Sequence, residues 1–197
     1  MKSITATEFL ARIKEKPSVF EHWDTPLEIT EYVSCQNSPI THLSKHLTFS
    51  GRNEVGDSAN FSGCENLQIA IGTFYGFVFW NSAIKKIEDL NILQCDMFNM
   101  SATFSGCKNL KIATGRYQGF VNFEDCGIET IQNLHIQSPD EEGDYASFRD
   151  CPTLLTLKGW DLSKKILIEP EKLAAEKKRL ALQKFVEKAQ PQELPFL

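Results

Sequence analysis

No run of apolar residues in this chain approaches the roughly 18 that a membrane-spanning helix needs. The opening stretch MKSITATEFLARIKEKPSVF has no unbroken apolar core, because Glu8, Arg12, Lys14 and Glu15 interrupt it, so it does not read as a cleaved secretion signal. Cysteine is sparse, 6 in 197 residues, with no C-x-x-C pair and no cysteine within five residues of a histidine. That excludes a disulfide scaffold and the usual zinc-site spacing. Positive charge is not in excess: 21 Lys and Arg face 26 Asp and Glu, a net charge of -5. A general binder of nucleic acid or of anionic membranes is therefore not expected. No P-loop, G-x-G-x-x-G, G-x-S-x-G or H-E-x-x-H motif occurs. The expectation is a chain that folds with free thiols in a reducing cytoplasm, or is delivered by a machine that needs no cleaved signal.

Phenylalanine, by contrast, is abundant, at 14 residues, and its placement is periodic. Residues 60–78 (NFSGCENLQIAIGTFYGFV) and 103–121 (TFSGCKNLKIATGRYQGFV) are identical at 12 of 19 positions with an offset of 43. The offset then becomes 44, and Ile84, Ile87, Leu90 and Ile92 match Ile128, Ile131, Leu134 and Ile136. A further copy begins at Phe148, and Ile40, Leu43, Leu47 and Phe49 echo the same series upstream. Each unit is itself double. Phe61, Phe79, Phe104, Phe123 and Phe148 are followed three residues on by Cys64, Ser82, Cys107, Cys126 and Cys151, and then by Leu67, Ile84, Leu110, Ile128 and Leu154.

Repeats this short cannot each bury a core and must stack, with like residues over like. The reading is about six coils of about 22 residues whose strands form parallel ladders. Leu67–Ile71 and Phe77–Phe79 are the clearest strand signals. Gly72, Gly76, Gly115 and Gly119 are expected to turn corners at positive φ, with Thr73, Tyr75, Arg116 and Gln118 beside them. Thr5 and Glu8 form a capping-box signature for a helix over about residues 5–15. Pro170 suits the first position of a second helix, with Leu173, Leu180, Phe185 and Val186 as its packed face. The resulting organisation is an N-terminal cap over 1–38, repeats over 39–160, a C-terminal helix over 161–190 and a tail over 191–197.

The pattern A-x-F-x-x-C-x-x-L occurs at Ala59-Phe61-Cys64-Leu67, Ala102-Phe104-Cys107-Leu110 and Ala146-Phe148-Cys151-Leu154. It resembles the bacterial leucine-rich-repeat class whose units run A-F-x-x-C-x-x-L-x-x-I. The chain lacks the Leu-Pro step common in that class and has one more residue between Ala and Phe. The resemblance implies a mainly β, leucine-rich-repeat-like right-handed β-solenoid, a bacterial or phage-related origin and a non-catalytic role in protein binding. Ala59-Asn60-Phe61-Ser62-Gly63 also looks like one pentapeptide-repeat unit, although the next five residues do not repeat it.

Chemistry-bearing residues fit this reading as scaffold or surface. Cys64, Cys107, Cys126 and Cys151 fall on one inward position, with Ser82 in the missing step; Cys35 and Cys95 lie outside it. Asp140, Glu141, Glu142 and Asp144 surround Gly143 without calcium-loop spacing and read as a solvated loop. His135 alternates with Leu134 and Ile136 and should face outward, in the place that Asn91 holds one unit earlier. No cofactor or metal is expected. The candidate residues for a protein partner are Gln68, Tyr75, Trp80, Asn91, Lys111, Arg116, Gln118 and His135, which vary between matched copies or, for Trp80, offer an aromatic anchor. Two other readings stand beside this one. One is a solenoid enzyme using Glu124, Asp125, Glu129 and Asp150; the other is a structural protein that oligomerises through the C-terminal helix.

Overall fold

A computed structural model describes residues 1–154, 156–158 and 160–189. Short strands follow one another along the chain: β1 (Lys2–Ile4), β2 (Leu27–Ile29), β3 (Val33–Ser34), β4 (Leu47–Phe49), β5 (Asp57–Asn60), β6 (Ile69–Phe74) and β7 (Phe77–Phe79). They continue as β8 (Lys86–Ile92), β9 (Met100–Thr103), β10 (Ile112–Tyr117), β11 (Phe120–Asn122), β12 (Thr130–Ile136), β13 (Ala146–Ser147) and β14 (Ile166–Leu167). Helix α1 (Ala6–Glu15) and helix α2 (Pro170–Ala189) complete the set. The protein is mainly β, and its strands form two parallel sheets of seven. The first sheet runs β1-β2-β4-β6-β8-β10-β12 and the second β14-β13-β11-β9-β7-β5-β3, so from β2 to β13 successive strands alternate between sheets. Both sheets reach beyond residues 39–160, to Lys2 and to Leu167.

Register explains why the repeat is so regular. Ile4, Ile29, Phe49, Phe74, Ile92, Tyr117 and Ile136 pair in one unbroken inward row of the first sheet. Val33, Ala59, Val78, Ala102, Val121, Ala146 and Ile166 form the matching row of the second. Just beyond the second-sheet strands, the rings of Phe61, Trp80, Phe104, Phe123 and Phe148 stack at 4.9, 6.1, 5.2 and 5.2 Å between centroids. These rings meet the first sheet edge-on, Phe61 against Phe74 at 6.3 Å and Phe104 against Tyr117 at 6.4 Å. Offset stacks and edge contacts of this kind add to the burial of area alone.

The stack corrects the expected series at one step. Trp80, not Phe79, is the ring in the ladder, and it is fully buried. Phe79 pairs with Asn60, so Phe61 aligns with residue 80. Phe79 is only half-buried and packs edge-on against Phe77. The residue three places after the ring is then Ala83, and Ser82 does not continue the cysteine row. Its hydroxyl donates to the Trp80 carbonyl at 2.6 Å instead. The 43-residue offset, carried two positions past Val121, aligns Phe123 with Trp80 and holds the signal for this.

Two glycine pairs have different jobs. Gly72 and Gly115 lie inside β6 and β10 at φ 116°, not at corners as their sequence suggested. That conformation strains any residue with a Cβ, and a Cβ on Gly115 would also sit 2.7 Å from the Tyr117 hydroxyl. Gly76 and Gly119 do occupy the tight turns between sheets, but without positive φ. A Cβ there would lie 2.2 Å from the Gly56 carbonyl oxygen or 2.0 Å from that of Asn99. Thr73 and Arg116 accordingly sit in strands, while Tyr75 and Gln118 sit in the turns.

The ends are closed by the helices. Thr5 and Glu8 form the capping box of α1, with Glu8 N–H donating to Thr5 Oγ1 at 3.2 Å and Thr5 N–H to Glu8 Oε2 at 2.8 Å. Phe9 of α1 stacks on Phe20 and meets Phe49 edge-on, covering the first end of the core. At the other end Leu173 of α2 packs on the core and Lys172 donates to the Cys151 carbonyl at 2.7 Å. Leu180 is half-buried. The side chains of Phe185 and Val186, and the tail from residue 190, lie outside the described residues.

Candidate functional site on the outer face of the first sheet

The first sheet is not evenly knitted. β6 pairs with β8, and β10 with β12, at five positions each, but β8 meets β10 only at Asn91–Arg116 and Ile92–Tyr117. Bulges in β8 and β12 carry Asp89 and Asn133 at φ 42° and 49°. Asp and Asn tolerate that left-handed conformation better than other side chains. The splay opens a shallow recess of about 490 Å³ bordered by Asp89, Asn91, Thr114, Arg116, Asn133 and His135. A second recess adjoins it at the C-terminal ends of β8, β10 and β12, adding Leu93, Gln118 and Gln137.

Along this face the outward row in register is Ser3, Glu28, Thr48, Thr73, Asn91, Arg116 and His135. Every step but Thr48–Thr73 changes size or charge, whereas the adjacent inward row is apolar throughout but for the Tyr117 hydroxyl. That hydroxyl is buried, donates to the Thr114 carbonyl at 2.8 Å, and is held protonated by its burial. Arg116 and His135 are exposed, and neither makes an ion pair among the described residues. Leu93 is 42% exposed beside them. The face therefore offers an amide, a guanidinium and an imidazole in one row with an aliphatic side chain beside it, and no carboxylate pair or nucleophile–base arrangement.

The eight candidate residues separate into four places. Asn91, Arg116 and His135 come together in the recess. Gln118 lines its rim, and Tyr75 is half-buried in the equivalent turn one unit earlier. Gln68 and Lys111 are exposed at the opposite ends of β6 and β10. Each uses its carbonyl to accept two backbone N–H groups of the next coil, and the Lys111 ammonium pairs with Glu129 at 2.8 Å. Trp80 is in the core and is unavailable to a partner. Asp89, Asn133 and Leu93 join the recess without having been candidates. Their signal was the matched pair of turn-forming residues, Asp89 before Leu90 and Asn133 before Leu134.

The other constellations are spent internally. Glu124 accepts from Ser147 at 2.7 Å, Asp125 pairs with Lys108, and Glu129 with Lys111, while the Asp150 N–H donates to Glu169. These carboxylates do not converge on a common point. All six cysteines are free thiols. Cys64, Cys107, Cys126 and Cys151 donate to the carbonyls of Cys35, Trp80, Phe104 and Phe123, one coil back. Cys35 follows Ser34, the partner of Asn60, and so takes the ring position of the first coil. Among the described residues no group of three or more His, Cys, Asp or Glu side chains could hold a metal, and no helix is long and apolar enough to cross a membrane. Compared with known proteins, the chain matches no family model, no curated protein and no solved structure.

Proposed function

We propose that this chain is a non-catalytic protein-binding module, a leucine-rich-repeat-like right-handed β-solenoid of about six coils of about 22 residues. The alternation of strands between two parallel sheets and the stacked rings support the solenoid. One observation carries the binding role: the outward row of the first sheet runs through Ser, Glu, Thr, Thr, Asn, Arg and His, while its inward row stays apolar but for the Tyr117 hydroxyl. An evolving contact surface on a fixed scaffold has that pattern.

The centre of the contact is the recess at Asn91, Arg116 and His135. Arg is enriched among the residues that anchor protein interfaces. The resemblance to bacterial repeats favours a cytoplasmic or delivered protein of bacterial or phage origin, either an effector or a partner that neutralises a toxin or defence factor. Affinity capture from bacterial and host lysates tests the reading, with the Arg116→Glu chain as control. Wild type should retain a discrete protein that the variant loses, with circular dichroism unchanged. Failure of wild type to retain any protein, together with a thermal shift by a small molecule, would overturn it.

A further inference from the structure

The connections that leave the C-terminal ends of the first-sheet strands carry a feature that the fold does not require. The long connections between the sheets, 50–56, 93–99 and 137–145, each contain the same five-residue turn. Asn53, Asp96 and Asp140 start it. Each side-chain Oδ1 accepts the N–H two residues on and four residues on, at 2.8–3.1 Å. Each backbone N–H donates to the carbonyl four residues on. The fourth residue is Gly56, Asn99 or Gly143 at positive φ. The two tip positions are Glu54-Val55, Met97-Phe98 and Glu141-Glu142, so only the middle turn carries two large apolar side chains. A turn that closes equally well with two glutamates does not need Met and Phe.

Yet Met97 and Phe98 are 65% and 53% exposed, and Val55 is 42% exposed. They are neighbours, since the Met97 N–H donates to the Val55 carbonyl at 3.1 Å. Phe98, Met100 and Phe120 then floor a small recess whose rim is Asp140, Glu141 and Glu142. Nearby cations are engaged: Arg52 with the Tyr75 carbonyl and Gln94, Lys165 with Asp144 and the Glu142 carbonyl. Among the described residues no cation pairs with the Glu141 or Glu142 carboxylate.

We propose that this ridge docks a segment of a partner protein that presents a basic side chain next to an apolar one. The stem of a Lys or Arg lies over Phe98, Met100 and Phe120 while its charge meets Glu141 and Glu142. The Phe98 face adds attraction for the cation. The neighbouring apolar side chain covers Val55 and Met97, the latter a residue type enriched in protein interfaces. An anionic bilayer is the wrong occupant, because its headgroups meet the same carboxylates with like charge. The inference rests on the protein-binding reading of the chain but uses none of the first-sheet residues.

The test is a titration of the full chain with a short synthetic lysine–leucine peptide, followed by the backbone amide resonances in nuclear magnetic resonance. The control peptide has glutamate for every lysine. The basic peptide should move the amides of Val55, Met97, Phe98 and Glu141, and its affinity should fall as salt rises. The double variant Met97→Ser, Phe98→Ser should weaken it by about tenfold or more with an unchanged melting temperature. The Arg116→Glu chain should bind the peptide as wild type does, which separates failure here from failure of the first-sheet reading. Equal binding of the two peptides, shifts mapping elsewhere, no shifts at all, or sedimentation of the chain with phosphatidylglycerol vesicles would each overturn the proposal.

Discussion

Depth divides the six cysteines into two kinds. Five are buried, and Cys95 alone is partly exposed, with its Sγ 3.5 Å from Asn99 Oδ1. Burial pushes the Cys151 thiol up to about 11 and raises Cys35, Cys64 and Cys95 as well. Cys126 is pushed up by its hydrogen bond with Cys107 and then by burial. The thiolate is the reactive form, and Cys107, which its hydrogen bond with Cys126 lowers, is buried out of reach, so native protein at neutral pH should titrate one thiol with a disulfide reagent, Cys95, and slowly. All six should react after denaturation. Fast native reaction of a second thiol would show that the row is less buried than described. The cysteine row was legible in the sequence because no histidine or second cysteine lay near enough to make a ligand set. The seat of Cys35 was not, since only the pairing of Ser34 with Asn60 reveals that the next residue starts the ring ladder.

Strands and loops are the elements whose detail spacing alone misjudged. At the end of β7 the sequence offers Phe79 and Trp80 side by side, and alternation requires one of them to face out. Register puts Trp80 inside, stacked between Phe61 and Phe104. Trp80→Ala should therefore cost about 3–5 kcal/mol, the range for emptying a large core site. Phe79→Ala should cost about 1 kcal/mol, as for an ordinary half-buried position. Urea denaturation of the two variants checks this, and the reverse order would restore the spacing-based series. The matched residues Asp89 and Asn133 were visible in the sequence, but the bulges they occupy were not. They show only when β6 is set against β8, and β10 against β12, and one strand proves a residue longer. The three shared turns were half-legible: residues 96–100 and 140–144 matched by offset, but the common Asx hydrogen bonds required coordinates.

At the scale of the whole molecule, two open sheets need closed ends. Helix α2 supplies one, and it is fixed by a nearly buried carboxylate. Glu176 is 5% exposed, accepts from Arg179 at 2.7 and 3.0 Å and from Thr156 at 3.2 Å. The hydrogen bond from Arg179 holds its carboxyl below the ordinary glutamate range, against the opposing effect of burial. A carboxyl lowered in the folded state contributes stability above the unfolded value and loses it as pH falls through the folded one. Glu176→Gln should thus lower the melting temperature at neutral pH, and the gap to wild type should close as pH drops below the glutamate range. A gap that stays constant with pH would mean that the contact acts through packing alone.

The sequence by itself determined the repeat, its period, the apolar rows and both helices, because each follows from local spacing of side chains that must be buried and from capping chemistry within one turn. Tertiary structure decided the rest. Two sheets, rather than one continuous ladder, depend on which strand pairs with which. Pairing also decides that Trp80 fills the core, that Asn91, Arg116 and His135 share a recess, and that Met97 and Phe98 stand exposed beside Glu141 and Glu142. These residues are distant in sequence, and hydrogen bonds between coils, not spacing within a coil, bring them together.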